Sequence, residues 1–152
     1  MRPESIFCSS TPTVVTTVLG SCVSICLWDR VLRVGGINHF LLPQTLQEGS
    51  PLRYGESSCD QLVRDMVALG CRVDSLEAKV FGGAAVLFGL TPETSVGTRN
   101  VEIALARLQF HRIPVRARRT GGERGLWVQL ITDSFDVLVR PVQTQVQPPA
   151  IL

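Results

Sequence analysis

The sequence predicts an α/β domain in which a mixed, largely antiparallel sheet packs with two main helices. Three observations predict it. Segments of strand composition fill Ile6 to Pro43 and again Val115 to Arg140, and two stretches between them carry apolar residues at helical spacing. A short apolar run, AKVFGGAAVLF, separates those two stretches as a buried strand would. The order is strands, helix, strand, helix, strands.

The first elements follow from β-branched residues and the turn formers that punctuate them. Ile6 lies in a short strand closed by a Ser/Pro turn, and Val14 to Val18 forms a second strand that Gly20 breaks. From Cys22 onward, CVSICLWD puts Val23, Ile25 and Leu27 on one face and Cys22, Ser24, Cys26 and Trp28 on the other, and both faces read as partly buried. A turn over Asp29 to Leu32 leads into RVGGINHFLLP, a strand that Pro43 ends, so the two segments make a hairpin.

The segment ESSCDQLVRDMVALGC spaces Leu62, Met66 and Leu69 helically, with Gly70 as its stop. TRNVEIALARLQFHRIPV is the second amphipathic helix, with Val101, Ala104, Leu105 and Leu108 on one face. Between the helices, Gly82 and Gly83 break the buried strand; they lack the spacing of a phosphate loop, and close backbone approach or a turn is their expected role. Val115 to Ala117, Gly125 to Ile131 and Phe135 to Arg140 close the fold, the first two separated by the turn-forming TGGERG. Residues 1–142 are expected to form one domain and residues 143–152, QTQVQPPAIL, a disordered tail.

Composition excludes several classes of function. A chain of 152 residues with 45% apolar and 18% charged residues can bury a core without metal or disulfide staples. Fifteen Lys and Arg against thirteen Asp and Glu leave a net charge of +2, too small a field for a dedicated nucleic-acid binder. Arg112, Arg116, Arg118 and Arg119 do cluster, but no aromatic residues interleave with them as a base-stacking platform requires. That run reads as a solvated strand edge or as a docking surface for an acidic partner. Five cysteines, an odd number, follow a start, MRPES, with no apolar leader, which argues against an extracellular disulfide framework and for a reducing cytoplasm. Val14 to Trp28 is too short and too polar to span a membrane.

The candidate chemistry comes from the hairpin. Pairing about a turn at Asp29 to Leu32 sets Trp28 opposite Arg33 and, six steps out, Cys22 opposite His39, with Cβ atoms about 4.5–5.5 Å apart. A bulge at Gly35 or Gly36 would shift that pairing. A lone strand cysteine is usually a small core residue and a lone histidine a structural one. Together they form a pair in which a neutral imidazole takes the thiol proton and produces a nucleophilic thiolate. Gly20 and Ser21, just before the cysteine, form a tight turn whose N–H groups suit a developing oxyanion. Cys26 lies about 13 Å along the strand from Cys22, too far for a disulfide. No zinc-ligand spacing is present, and His111, near a helix C-terminus, reads as structural.

The segments TTVLGSCVSICLWD, GGINHFLLP, AKVFGGA, VGTRNVEIALARLQFHRIPV and GGERG, in this order from about Ile6 to Arg140, resemble the CheD family of chemoreceptor glutamine deamidases. The resemblance implies a cysteine amidohydrolase that converts glutamine side chains of methyl-accepting chemotaxis receptors to glutamate with release of ammonia. It places the family's nucleophile on Cys22 and its histidine on His39. The family's threonine falls by spacing on Thr16, with the adjacent Thr17 as the alternative. The implied fold is a layered α/β sandwich similar to deamidating-toxin catalytic domains. No metal or organic cofactor is implied. The family also engages the CheC phosphatase, so a non-catalytic module that regulates CheC is the rival reading. A thiol redox sensor is a weaker one, since no C-x-x-C pair is present. Leu126 and Trp127, after GGERG, depart from the more polar stretch typical of the family.

Overall fold

Both faces of CVSICLWD are apolar, and the fold supplies a packing layer for each. The computed structural model describes residues 1–44, 50–85 and 95–142. Its elements are β1 (Ser5–Ser9), β2 (Val14–Leu19), β3 (Val23–Asp29), β4 (Val34–His39), α1 (Gly55–Ala68), β5 (Leu76–Gly82), α2 (Val96–Phe110), β6 (Val115–Thr120), β7 (Leu126–Ile131) and β8 (Asp136–Pro141). Five strands form one sheet in the order β1-β4-β3-β5-β6, and three form a second in the order β2-β7-β8. Within the two sheets β5 and β6 run parallel and the other neighbours antiparallel. This is the layered, largely antiparallel α/β sandwich expected.

The central strand β3 divides two cores. Val23, Ile25 and Leu27 point to the helix side, where they pack with Leu62 and Met66 of α1 and with Ala104 and Leu108 of α2. Cys26 points the other way, into a second core with Ile37 and Phe81 beneath Val15, Leu19, Val128 and Leu130 of the smaller sheet. The alternation read from sequence is therefore a division between layers. Each fully buried Leu, Ile or Phe in these cores contributes about 1.5–3 kcal/mol.

The hairpin register differs from the expected one. Asp29 pairs with Val34, Trp28 with Gly35 and Cys26 with Ile37, and Val23 bridges Phe40. The turn thus spans Arg30 to Arg33 rather than Asp29 to Leu32. The cause is the buried Asp29 side chain: its Oδ1 accepts from the N–H groups of Val31 and Leu32, and its Oδ2 from that of Arg72. These bonds keep Asp29 as the last strand residue, and Arg33, at φ 58°, closes the turn in the left-handed region. The one-residue shift moves every partner by two, so Ser24 rather than Cys22 lies across from His39. A shift of two preserves the face, and Cys22 and His39 remain on the same side of the sheet.

The helices end where local stereochemistry dictates. Gly70, at φ 92°, follows α1 as its expected stop. α2 stops at Phe110, short of the expected HRIPV, because Arg112 turns left-handed at φ 58° and the Ile113 N–H returns to the Leu108 carbonyl. An ion cluster joins the two helices: Asp60 accepts from Arg107 at 2.8 and 2.9 Å and lies 2.8 Å from His111 Nε2. Burial raises the Asp60 carboxyl, and the bonds from His111 and Arg107 outweigh it, leaving the group below its ordinary value. Val86 to Phe88, within the expected strand AKVFGGAAVLF, and the tail 143–152 lie outside the described residues.

Candidate active site

The chain crosses from the small sheet to the large one at Gly20, Ser21 and Cys22. β2 ends at Leu19 and β3 starts at Val23, so these three residues make the whole passage. Their carbonyls are all held from outside the turn. The Ala84 N–H donates to Gly20 O at 2.9 Å, the Asn100 side-chain amide to Ser21 O at 2.9 Å, and the Gly83 N–H to Cys22 O at 2.8 Å. The backbone amides of Cys22 and Gly20 reach the Cys22 thiol. Burial pushes the thiol above its ordinary value, and these two amides, which favour the thiolate, offset part of that rise.

Gly82 and Gly83 permit the close passage. Gly82 has φ 105°, and a Cβ there would stand 2.2 Å from the Cys22 carbonyl oxygen. Gly83 has φ 72°, with space for a Cβ taken by Val101 and by the Gly97 carbonyl. Of the two roles expected for this pair, close backbone approach or a turn, the first is seen at the turn that carries the candidate nucleophile.

His39 sits at the end of β4, 2% exposed, facing the smaller sheet. Its Nδ1 is 2.9 Å from Thr17 Oγ1. The hydroxyl also lies 3.3 Å from the Met1 carbonyl, to which it donates, so it accepts from Nδ1–H and leaves Nε2 as the unprotonated nitrogen. Nε2 is buried and has no hydrogen-bond partner among the described residues, and neither has Ser24 Oγ on the neighbouring strand. Burial is the main cause that pushes the imidazole down to about 4, so it is neutral at physiological pH.

The two threonines face opposite ways. Thr17 is 3% exposed and points between the sheets with Val15 and Leu19. Thr16 is half-buried on the other face, where it accepts from Gln129 Nε2 at 3.2 Å. The structure therefore brings Thr17, and not Thr16, to the histidine. Spacing from the cysteine favoured Thr16, whereas strand alternation against the apolar Val15 and Leu19 selects Thr17. Cys22, in the crossing just before β3, packs against the core between the sheets, the layer that His39 faces, and His39 Nε2 makes no hydrogen bond to it.

Two asparagines were not anticipated from sequence. Asn100, fully buried on the apolar face of α2, bridges Ser21 O and Leu41 O, each at 2.9 Å. Asn38 accepts from the Ile25 N–H at 2.7 Å in place of a ladder carbonyl, and its amide donates to Ser58 at 3.1 Å. This substitution opens the β3–β4 ladder between the Val23 and Cys26 pairings, beside His39. The available signal was a polar residue on an otherwise apolar stripe, which calls for a specific partner when buried. A cavity of about 620 Å³ is lined by Leu42, Tyr54, Val96, Arg99 and Ile103, and neither Cys22 nor His39 lines it.

The fold and this crossing define a class: a two-sheet α/β protein with a thiol, an imidazole and a hydroxyl on one interlayer. Comparison with known proteins gives the family. The profile described as CheD chemotactic sensory transduction matches residues 41–141. A protein of Rhodospirillum rubrum named probable chemoreceptor glutamine deamidase CheD is 49% identical over 147 residues, covering 96% of this chain and 83% of its own. One of Anaeromyxobacter dehalogenans named probable chemoreceptor glutamine deamidase CheD 1 is 48% identical over 125 residues, covering 82% and 73%. The chain belongs to the CheD family.

Proposed function

We propose that this protein is a protein-glutamine deamidase that hydrolyses glutamine side chains of methyl-accepting chemotaxis receptors to glutamate through Cys22 and His39. Its curated relatives carry the name of that activity. The observation that carries the mechanism is the state of His39: Nδ1 is held by Thr17, and an unprotonated Nε2 is left without a hydrogen-bond partner among the described residues.

In this reading the resting pair is a thiol and a neutral imidazole. As the substrate carboxamide enters, His39 Nε2 accepts the Cys22 proton and the sulfur attacks the glutamine Cδ. The oxyanion that forms takes hydrogen bonds from N–H groups of the Gly20–Cys22 turn, whose orientation is fixed by the three held carbonyls. Imidazolium returns its proton to the leaving nitrogen and ammonia departs, leaving a thioester. Water, deprotonated by the same nitrogen, hydrolyses the thioester and releases glutamate and the thiol. Thr17 touches neither sulfur nor substrate and acts as a positioning residue that holds the tautomer. Contact between Cys22 and His39 tightens in the substrate complex, as is common where the free enzyme shows a loose pair. The reaction takes place on the cytoplasmic portion of the receptor.

The test is incubation of wild type and Cys22→Ala with a glutamine-bearing receptor cytoplasmic fragment. Peptide mass spectrometry reads the gain of about one dalton per site, and a coupled assay reads ammonia, the two products of acyl transfer to water. Modification by wild type alone supports the proposal. Equal modification by Cys22→Ala, or none by either protein across several folded receptor fragments, refutes it.

A further inference from the structure

We infer that the free edge of β6 is a docking site for an extended acidic protein segment, which adds to the large sheet as a further strand. Among the described residues β6 is the last strand of that sheet, and Val115 through Arg119 are all exposed. A strand edge with open N–H and C=O groups is a template for another strand.

Charge selects the occupant. Residues 112–124 contain five arginines and one glutamate in a chain whose net charge is only +2. Arg116 pairs with Glu77 at 2.9 Å, while Arg112, Arg118 and Arg119 enter no ion pair among the described residues. Consecutive strand residues point to opposite faces, so Arg118 and Arg119 flank an added strand on both sides. Charges on an edge commonly serve to repel strands, and against a second copy of this edge the arginines do that. The same charges attract a strand that alternates carboxylates and small apolar residues. With no aromatic side chain between them, they offer nucleic-acid bases nothing to stack on.

The edge also leads to the site. Thr120 pairs with Gly82, the Gly121 N–H donates to Gly82 O at 2.9 Å, and the Ala85 N–H donates to Gly122 O at 2.8 Å. The same Gly82–Ala84 stretch carries the donors that hold the Gly20 and Cys22 carbonyls. A segment laid along β6 therefore runs toward the Gly82–Ala84 stretch that holds the Gly20 and Cys22 carbonyls.

The backbone pattern supplies a discriminating test. A fluorescein-labelled decapeptide of alternating Glu and Val is titrated with the full chain, read by anisotropy at low salt. A counterpart of equal charge, N-methylated at every residue, offers no N–H to a strand on either of its edges. The expected result is saturable binding that weakens about tenfold or more on N-methylation and likewise in the Arg118→Glu/Arg119→Glu variant. Arg118→Lys/Arg119→Lys retains most of it, and thermal melts confirm that both variants fold. Absence of binding by the acidic peptide overturns the proposal. So does equal binding of the N-methylated peptide, which would mean charge attraction without strand addition. Tighter capture of a labelled oligothymidylate than of the peptide also overturns it.

Discussion

The Thr17 hydroxyl lies 2.9 Å from His39 Nδ1, at a position 3% exposed, and this contact fixes which nitrogen of the imidazole is free to act. Thr17→Val removes the acceptor and leaves a buried donor unpaired, at a cost of about 1–3 kcal/mol in stability. Receptor deamidation is expected to fall about 10- to 100-fold, within the range that general-base catalysis supplies. Thr17→Ser, which keeps the acceptor, retains most activity. Thr16→Val changes the rate little, because its hydroxyl serves Gln129 on the opposite face. A larger loss for Thr16→Val than for Thr17→Val would refute this assignment.

Acid should destabilise the protein through His39. Its folded-state value is lowered from 6.5 to about 4, so the unfolded chain binds more protons between these limits and stability rises with pH across them. The contribution is fully present above pH 6.5 and is lost as pH falls to 4, for a total of about 3 kcal/mol. Urea midpoints measured at pH 7, 5.5 and 4 should decline for wild type and decline less for His39→Gln. Parallel declines would assign the acid sensitivity to other groups.

Cys22 should behave as a thiol and not as a preformed thiolate. Burial raises it and no bond from His39 opposes that rise. Alkylation by iodoacetamide should therefore increase about tenfold per pH unit from 7 to 9, following the thiolate fraction. A rate already level at pH 6 to 7 would point instead to a thiolate–imidazolium pair. Buried Cys26, pushed up to about 12, should not react in the native protein and serves as the internal control.

Alternation in CVSICLWD placed the two core faces correctly because period-two burial depends on the strand alone. The hairpin register depended on whether the Asp29 side chain would cap its own turn, a tertiary matter that also involves the Arg72 N–H. The error displaced the Cys22–His39 pairing by one diagonal yet kept both residues on one face, since registers that differ by two share parity. Thr17 is legible from the same alternation rule, since it shares a strand face with the apolar Val15 and Leu19, whereas spacing from the cysteine carries no information about which face a threonine takes. Asn100 was harder to read. Its partners, Ser21 and Leu41, lie far from it in sequence, and only the fold brings them to one amide.

Asn100 therefore offers a test of the turn independent of the chemistry. Asn100→Leu leaves the Ser21 and Leu41 carbonyls without their donor, and two buried acceptors unpaired cost about 2–4 kcal/mol. Because Ser21 O orients the peptide before Cys22, the turnover rate should fall while alkylation of Cys22 persists. Full activity at temperatures where the variant remains folded would show that the turn keeps its shape without this amide.

Gly82 is the sharpest such test, because two effects of a methyl group can be separated. At φ 105°, alanine at this position is strained, and its Cβ would also meet Cys22 O at 2.2 Å and Leu19 Cδ1 at 3.2 Å. Gly121, at φ 77°, has the same kind of left-handed backbone but no atom within 4 Å of an added Cβ. Gly121→Ala should thus cost only the conformational penalty, about 1–2 kcal/mol, with activity intact. Gly82→Ala adds a clash that is relieved only by moving the Cys22 peptide, so it should cost more and abolish deamidation in protein that is still folded. If the two variants prove equally active, backbone approach at Gly82 is not what sets the nucleophile in place.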